Sequence, residues 1–258
     1  MYRVGYILIL LLLYSCNQVR KNSRVSPTYF YVGSNKIENY LAILKKAEKV
    51  DEYVIIYSKR RWSESNSLFK SIAAQSYKIK RCSINNLCDF NNTRSLMVIL
   101  LLDANIEDFN GIQGFIQRNS NIVSIAVIDS MASTLFFRKI AYPLRANDSM
   151  LSRVGVNEIK ISNGMNLINL PIVLVNSGKL TRFSEMLSAS LQNPTDYVIS
   201  VDDSTSFSIF KNVIKVYGKG QMFMVKHPDA STKVENGLFG GENLRMSVFL
   251  PGDSIIIK

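Results

Sequence analysis

The chain has 258 residues, is 47% hydrophobic and 20% charged, and carries 31 Lys and Arg against 20 Asp and Glu, a formal net charge of +11. That apolar content supports a buried core and excludes global disorder, and the length suits one large domain or two small ones. A single histidine, His227, excludes a multi-histidine site, and no Cys, His and carboxylate grouping has metal-ligand spacing, so neither metal nor cofactor is expected.

The first elements are a leader and a linker. Arg3 gives a positive start, residues 7–13 are unbroken aliphatics, and Leu13-Tyr14-Ser15-Cys16 follows. A charged start, a short apolar core and a small residue before a cleavage point make a secretory signal. The apolar run is too short to cross a bilayer core of about 30 Å as a helix. Leu-x-Ser-Cys in this place resembles the lipobox of bacterial lipoproteins, although Tyr14 departs from the small or branched residue usual at its position. The resemblance implies a signal peptide over residues 1–16 and a diacylglycerol, with its palmitate-type chains, on the Cys16 sulfur. Cys16 would become the new N-terminus, and the body would be held to a bacterial membrane in the cell envelope, on the periplasmic or the outer face. Residues 17–27 are polar, basic and aperiodic, and read as a flexible tether. Export turns the basic balance away from nucleic acid and towards anionic headgroups, an acidic envelope polymer or an envelope protein. The plainer reading is a solvated basic surface.

Residues 28–95 read as an N-terminal α/β segment. A strand at 28–32 runs into the Gly33 turn, and Ser34 or Asn35 caps a helix with Ile37, Tyr40, Leu41, Leu44 and Ala47 on one face. Residues 53–57 form a buried strand, Leu68, Phe69, Ile72 and Ala73 mark a second helix, and 77–83 alternate as a half-exposed strand. Between strand and helix, Lys59-Arg60-Arg61-Trp62 could grip an anionic partner with an arginine stacked on the indole, or be a solvated helix entry. The Asn-rich stretch 82–95 reads as a loop. With Cys16 lipidated, Cys82 and Cys88 remain as a pair. A loop-closing disulfide and two free thiols are both open, and the spacing is not that of a CxxC redox motif.

Residues 96–192 form the next segment. Strands are expected at 96–102, 122–128 and 171–175. Helices are expected from Ile106, Phe109, Ile112 and Ile116, over 131–140 and 148–154, and from Leu180, Phe183, Leu187 and Leu191. Residues 193–258 are β-rich, with strands at 197–201, 213–217, 221–225, 246–250 and 254–258, turns at 218–220 and 251–253, and a flexible glycine loop at 237–242. The fold class is therefore α/β, a mostly parallel sheet with flanking helices and a β-rich C-terminal segment.

The order of elements over residues 96–192, with Tyr142-Pro143-Leu144, Gly155-Val156 and Leu170-Pro171 followed by Asn176-Ser-Gly-Lys179, resembles the thioredoxin-like fold of exported redoxins. The resemblance implies that Pro171 is the cis-proline of that fold. The chain departs from the family where the first strand meets the first helix: Leu102 to Asp108 contains no cysteine, so a thioredoxin-like core here would be redox-dead. No serine elbow or phosphate-binding glycine loop is present, so no catalytic residue is assigned. These features point to a non-catalytic binding or accessory lipoprotein. The alternatives are a thiol–disulfide protein using Cys82 and Cys88, and a hydrolase with an acidic site built from Asp103 and Asp202.

Overall fold

A computed structural model describes residues 27–258 apart from 34–36, 48–49, 89, 91–92, 103–105, 120, 129–134, 144–153, 156–158, 176–182, 203 and 227–231. The leader, Cys16, the tether, Asp103, His227 and most of the helix expected over 148–154 lie outside the described residues.

The first half alternates strand and helix: β1 (Thr28–Val32), α1 (Ile37–Leu44), β2 (Glu52–Tyr57), a 3-10 turn (Lys59–Arg61), α2 (Trp62–Ala73), β3 (Ile79–Ser83), β4 (Leu96–Leu101), α3 (Ile106–Arg118) and β5 (Ile122–Ile128). Then come β6 (Lys139–Pro143), β7 (Ile159–Asn163), β8 (Ile172–Val175), α4 (Phe183–Gln192) and β9 (Tyr197–Val201). The rest is β10 (Thr205–Phe210), β11 (Val213–Gly218), β12 (Met222–Lys226), β13 (Thr232–Glu235), β14 (Leu238–Gly241), β15 (Arg245–Phe249) and β16 (Ser254–Ile256).

These strands build two mixed sheets. The first has eight strands in the order β16-β11-β10-β1-β5-β4-β2-β3, in which β1, β5, β4, β2 and β3 are parallel and β10, β11 and β16 extend one side antiparallel. The second has six, β15-β12-β9-β8-β6-β7, with only the β9-β8-β6 stretch parallel. One cluster lies between the sheets. It joins Val54, Val98, Ile125 and Phe207 of the first to Leu174, Ile199 and Met222 of the second. The outer face of the first sheet is covered by Ile43 and Leu44 of α1 and Leu68 and Ile72 of α2, and that of the second by Met186 and Ala189 of α4. The layers run helix, sheet, sheet, helix, while α3 joins the inter-sheet cluster through Ile112 and Phe115.

This corrects the expected fold. Among the described residues about twice as many lie in strands as in helices, and the core is neither a mostly parallel α/β sheet nor thioredoxin-like. Strands of the 96–192 segment divide between the sheets, β4 and β5 in one, β6, β7 and β8 in the other. The physical reason is that an apolar run reports burial on both faces without reporting what covers them. Every residue of β4, β8 and β9 is buried, and all three strands contribute side chains to the one cluster that joins the two sheets. The Leu170–Pro171 bond is trans, since no described peptide bond is cis, so Pro171 is not the cis-proline that the resemblance implied. Part of the helix expected over 131–140 is instead the start of β6, and the expected glycine loop carries the β13–β14 hairpin.

Candidate functional site

Within the parallel part of the first sheet, β2 is followed by α2 and β3 on one side, and β4 by α3 and β5 on the other. The direction of winding therefore reverses between β2 and β4. In open α/β sheets the crevice outside the carboxyl ends of two such strands is where ligands bind. The strands meet there through the Ser58 N–H, which donates to the Leu101 carbonyl at 3.0 Å.

The rim on the β2 side is basic and aromatic. Lys59 and Arg60 are exposed, and Trp62, the first residue of α2, is 52% exposed. Arg61 is held back: its Nη1 donates to both carboxylate oxygens of Glu64 at 2.9 Å. The arginine on the indole comes from β3. The Arg81 guanidinium lies 5.4 Å from the ring centres of Tyr57 and Trp62 and 5.9 Å from that of Phe69, and it donates to Asn66 Oδ1 at 3.0 Å. Three aromatic faces and one amide fix its orientation, and the stacking supports Trp62 as a rigid exposed plate. Sequence reasoning assigned the stacked arginine to the 59–61 run and missed Arg81. The alternation of β3 puts Arg81 on the face of Ile79, towards α2, which is the one signal the sequence held.

Three consecutive cations stand just ahead of α2. A helix N-terminus carries unsatisfied N–H groups and a partial positive charge, so cations there are unfavourable by roughly 0.3–1 kcal/mol each, and an anion is favoured. Glu64 offsets part of this for Arg61.

Other candidates have structural occupations. Asp202, in the turn from β9 to β10, accepts from the Ser204 N–H at 3.0 Å, Ser204 Oγ at 2.9 Å, Thr205 Oγ1 at 2.6 Å and the Gln221 N–H at 2.8 Å. Burial alone would raise its pKa, but the hydrogen bonds from Thr205, Gln221 and Ser204 outweigh burial and hold the carboxyl below its ordinary value. A carboxylate accepting four hydrogen bonds is a latch between the two sheets, not a free base. Asp103, its proposed catalytic partner, lies outside the described residues. Glu52 is fully buried at the opposite end of β2, where Thr93 Oγ1 donates to it at 2.7 Å and Lys80 Nζ stands 3.2 Å away. Cys82 and Cys88 form a disulfide with their Cα atoms 5.8 Å apart, and Cys82 is only 2% exposed within the inter-sheet cluster. That burial shields the Cys82 sulfur from an attacking thiolate, while Cys88 is half-buried. Among the described residues no group of three His, Cys, Asp or Glu could hold a metal ion, and no helix is long and apolar enough to cross a membrane.

No protein-family profile matches the chain, and no curated protein matches it either.

Proposed function

We propose that the protein is an exported lipoprotein, anchored to a bacterial membrane through a lipid on Cys16. Its folded body is a non-catalytic accessory module that binds an anionic partner of the cell envelope at the β2–β4 crevice. The lipobox residues Leu13 to Cys16 support the anchoring. The observation that carries the binding reading is the run Lys59-Arg60-Arg61 ahead of α2 with Trp62 exposed beside it. A run of cations at a helix start works against the fold and for an anion, and such local conflicts mark functional positions.

The test uses the detergent-purified protein and a phosphodiester polymer as the anionic probe, with a neutral glycan as control. The wild type is expected to bind the polyanion in a salt-sensitive way and to ignore the neutral glycan. Lys59→Glu with Arg60→Glu is expected to weaken binding at least tenfold while leaving the melting temperature equal or slightly higher, because two unfavourable charges have left the helix start. Unchanged affinity in that variant, or turnover of an ester, glycosidic or thiol substrate by the wild type, would overturn the reading.

A further inference from the structure

At the end of the molecule opposite the β2–β4 crevice, three exposed apolar side chains form one row. Phe210 ends β10, Val213 begins β11 and Ile256 ends β16. Phe210 pairs directly with Val213, and Val213 with Ile256, so all three stand on the same face of the first sheet. They are 41%, 38% and 62% exposed. Their neighbours one residue further along, Ile209, Ile214 and Ile255, face the other way and are buried between the sheets, so the row belongs to the outer face.

The same end is cationic. Lys211 sits in the β10–β11 turn, 5.4 Å from the Phe210 ring, and Lys258 follows β16; both are exposed. Arg245, exposed at the start of β15, pairs with Lys226, and Lys226 donates to Tyr197 at 2.9 Å, where β9 begins. Among the described residues at this end, Glu52 and Asp196 are buried against Lys80 and Lys139, and the exposed Asp51 accepts from the Ser95 N–H at 3.0 Å.

β1 starts here as well. Tyr29 pairs with Ile209, which brings Thr28 beside Phe210. From Cys16 to Thr28 is twelve residues, a reach of at most about 40 Å when fully extended. That stretch adds Arg20, Lys21 and Arg24.

We propose that this end is a membrane-docking face: Phe210, Val213 and Ile256 enter the headgroup region of an anionic bilayer while Lys211, Lys258 and Arg245 pair with its phosphates, leaving the β2–β4 crevice pointing away from the membrane. The proposal rests on acylation of Cys16, which brings this end within tether length of the bilayer. Apolar side chains ringed by cations are the chemistry of interfacial attachment, and a short lipid anchor raises the local concentration of the surface they meet.

The experiment uses the full chain, purified with its native N-terminus and incorporated into vesicles of phosphatidylcholine alone or of an equal mixture with phosphatidylglycerol. Ile256→Cys takes a fluorophore at the row, and Ser63→Cys takes one on α2 as the distant reference. Quenching by headgroup-labelled lipid is expected to be at least fivefold stronger at position 256 than at 63 in the anionic vesicles. Lys211→Glu with Lys258→Glu, folded by circular dichroism, is expected to remove most of that difference. Equal quenching at both positions, with the protein still acylated and vesicle-bound, overturns the docking face and leaves the anchor standing. Self-quenching at 256 that is independent of lipid assigns the row to a second copy of the chain and also overturns it. A native mass without an acylated Cys16 overturns the anchor and the docking face together.

Discussion

Asp202 shows how much one side chain can organise. Its carboxylate ties the β9–β10 turn to the Gln221 N–H ahead of β12, so it clamps the point where the chain leaves one sheet for the other. Gly220 lies so close that a Cβ would overlap the carboxylate. Replacing Asp202 with Ala leaves the part-buried Thr205 Oγ1 and Gln221 N–H donors without their acceptor and is expected to cost about 2–3 kcal/mol, measured by urea unfolding. Because the folded pKa is depressed, this stabilisation is complete above the unfolded carboxyl value, near 4, and is lost as pH falls through the lower folded value. A pH series of melting temperatures is therefore expected to fall below about pH 4 in the wild type and to fall less steeply in Asp202→Ala. The other residue-scale lesson is Arg81. Its one signal in the sequence was the strand alternation it shares with Ile79, which turns it to α2 and turns Lys80 to the Phe90 ring, while the aromatic rings it meets come from other elements.

At the scale of elements, long periodic stretches were legible. β2, β4, β5, β8, β9, α1 and α2 fall where apolar runs or helical spacing put them, because burial on one or both sides imposes those patterns. β10 went unread although Thr205-Ser-Phe-Ser-Ile-Phe210 alternates, since its polar serines resemble a turn; in the sheet Ser206 and Ser208 are buried beside Tyr217 and Lys215. β7, Ile-Lys-Ile-Ser-Asn, was missed for the same reason: a strand with a partly open face carries too few apolar residues to stand out. The disulfide joins β3 to the turn behind it and holds that edge of the sheet. Replacing both Cys82 and Cys88 with Ser is expected to lower stability by about 2 kcal/mol, the chain-entropy value for so short a loop. The wild type treated with reductant should approach the same unfolding midpoint.

For the whole molecule, the defining contact is sheet on sheet. Phe207, on β10 of the first sheet, is fully buried, stacked on Tyr31 at 4.9 Å and tilted against Phe137, just ahead of β6 of the second, at 6.2 Å. Phe207→Ala is expected to cost about 3–5 kcal/mol and to shift the unfolding of both sheets together, visible as one cooperative transition by tryptophan fluorescence and by circular dichroism. Two independent transitions would show that the layers do not share a core. The anchor is tested at the same scale. If the proposed anchor holds, the wild type carries the mass of an acylated Cys16 without its leader, and Cys16→Ala is expected to lack the lipid mass and to keep the leader. The strand direction of the first sheet sets two ends apart. The Trp62 platform lies at one end, and the Phe210–Val213–Ile256 row lies at the other.

The sequence by itself determined that the chain holds a large apolar core and which stretches are strands and helices where the period is strong. It also carries the Leu13–Cys16 stretch whose resemblance to a lipobox is what the anchoring proposal stands on. These properties are written in neighbouring residues, through spacing and burial pattern. Only the tertiary structure decided that the strands sort into two sheets facing one another, that Arg81 and not a residue of the 59–61 run meets Trp62, and that Asp202 is a saturated latch. Each of those depends on which distant segment supplies the covering surface or the hydrogen-bond donor. A side chain reports that it needs to be buried or paired, and the partner is chosen by the packing of the whole chain.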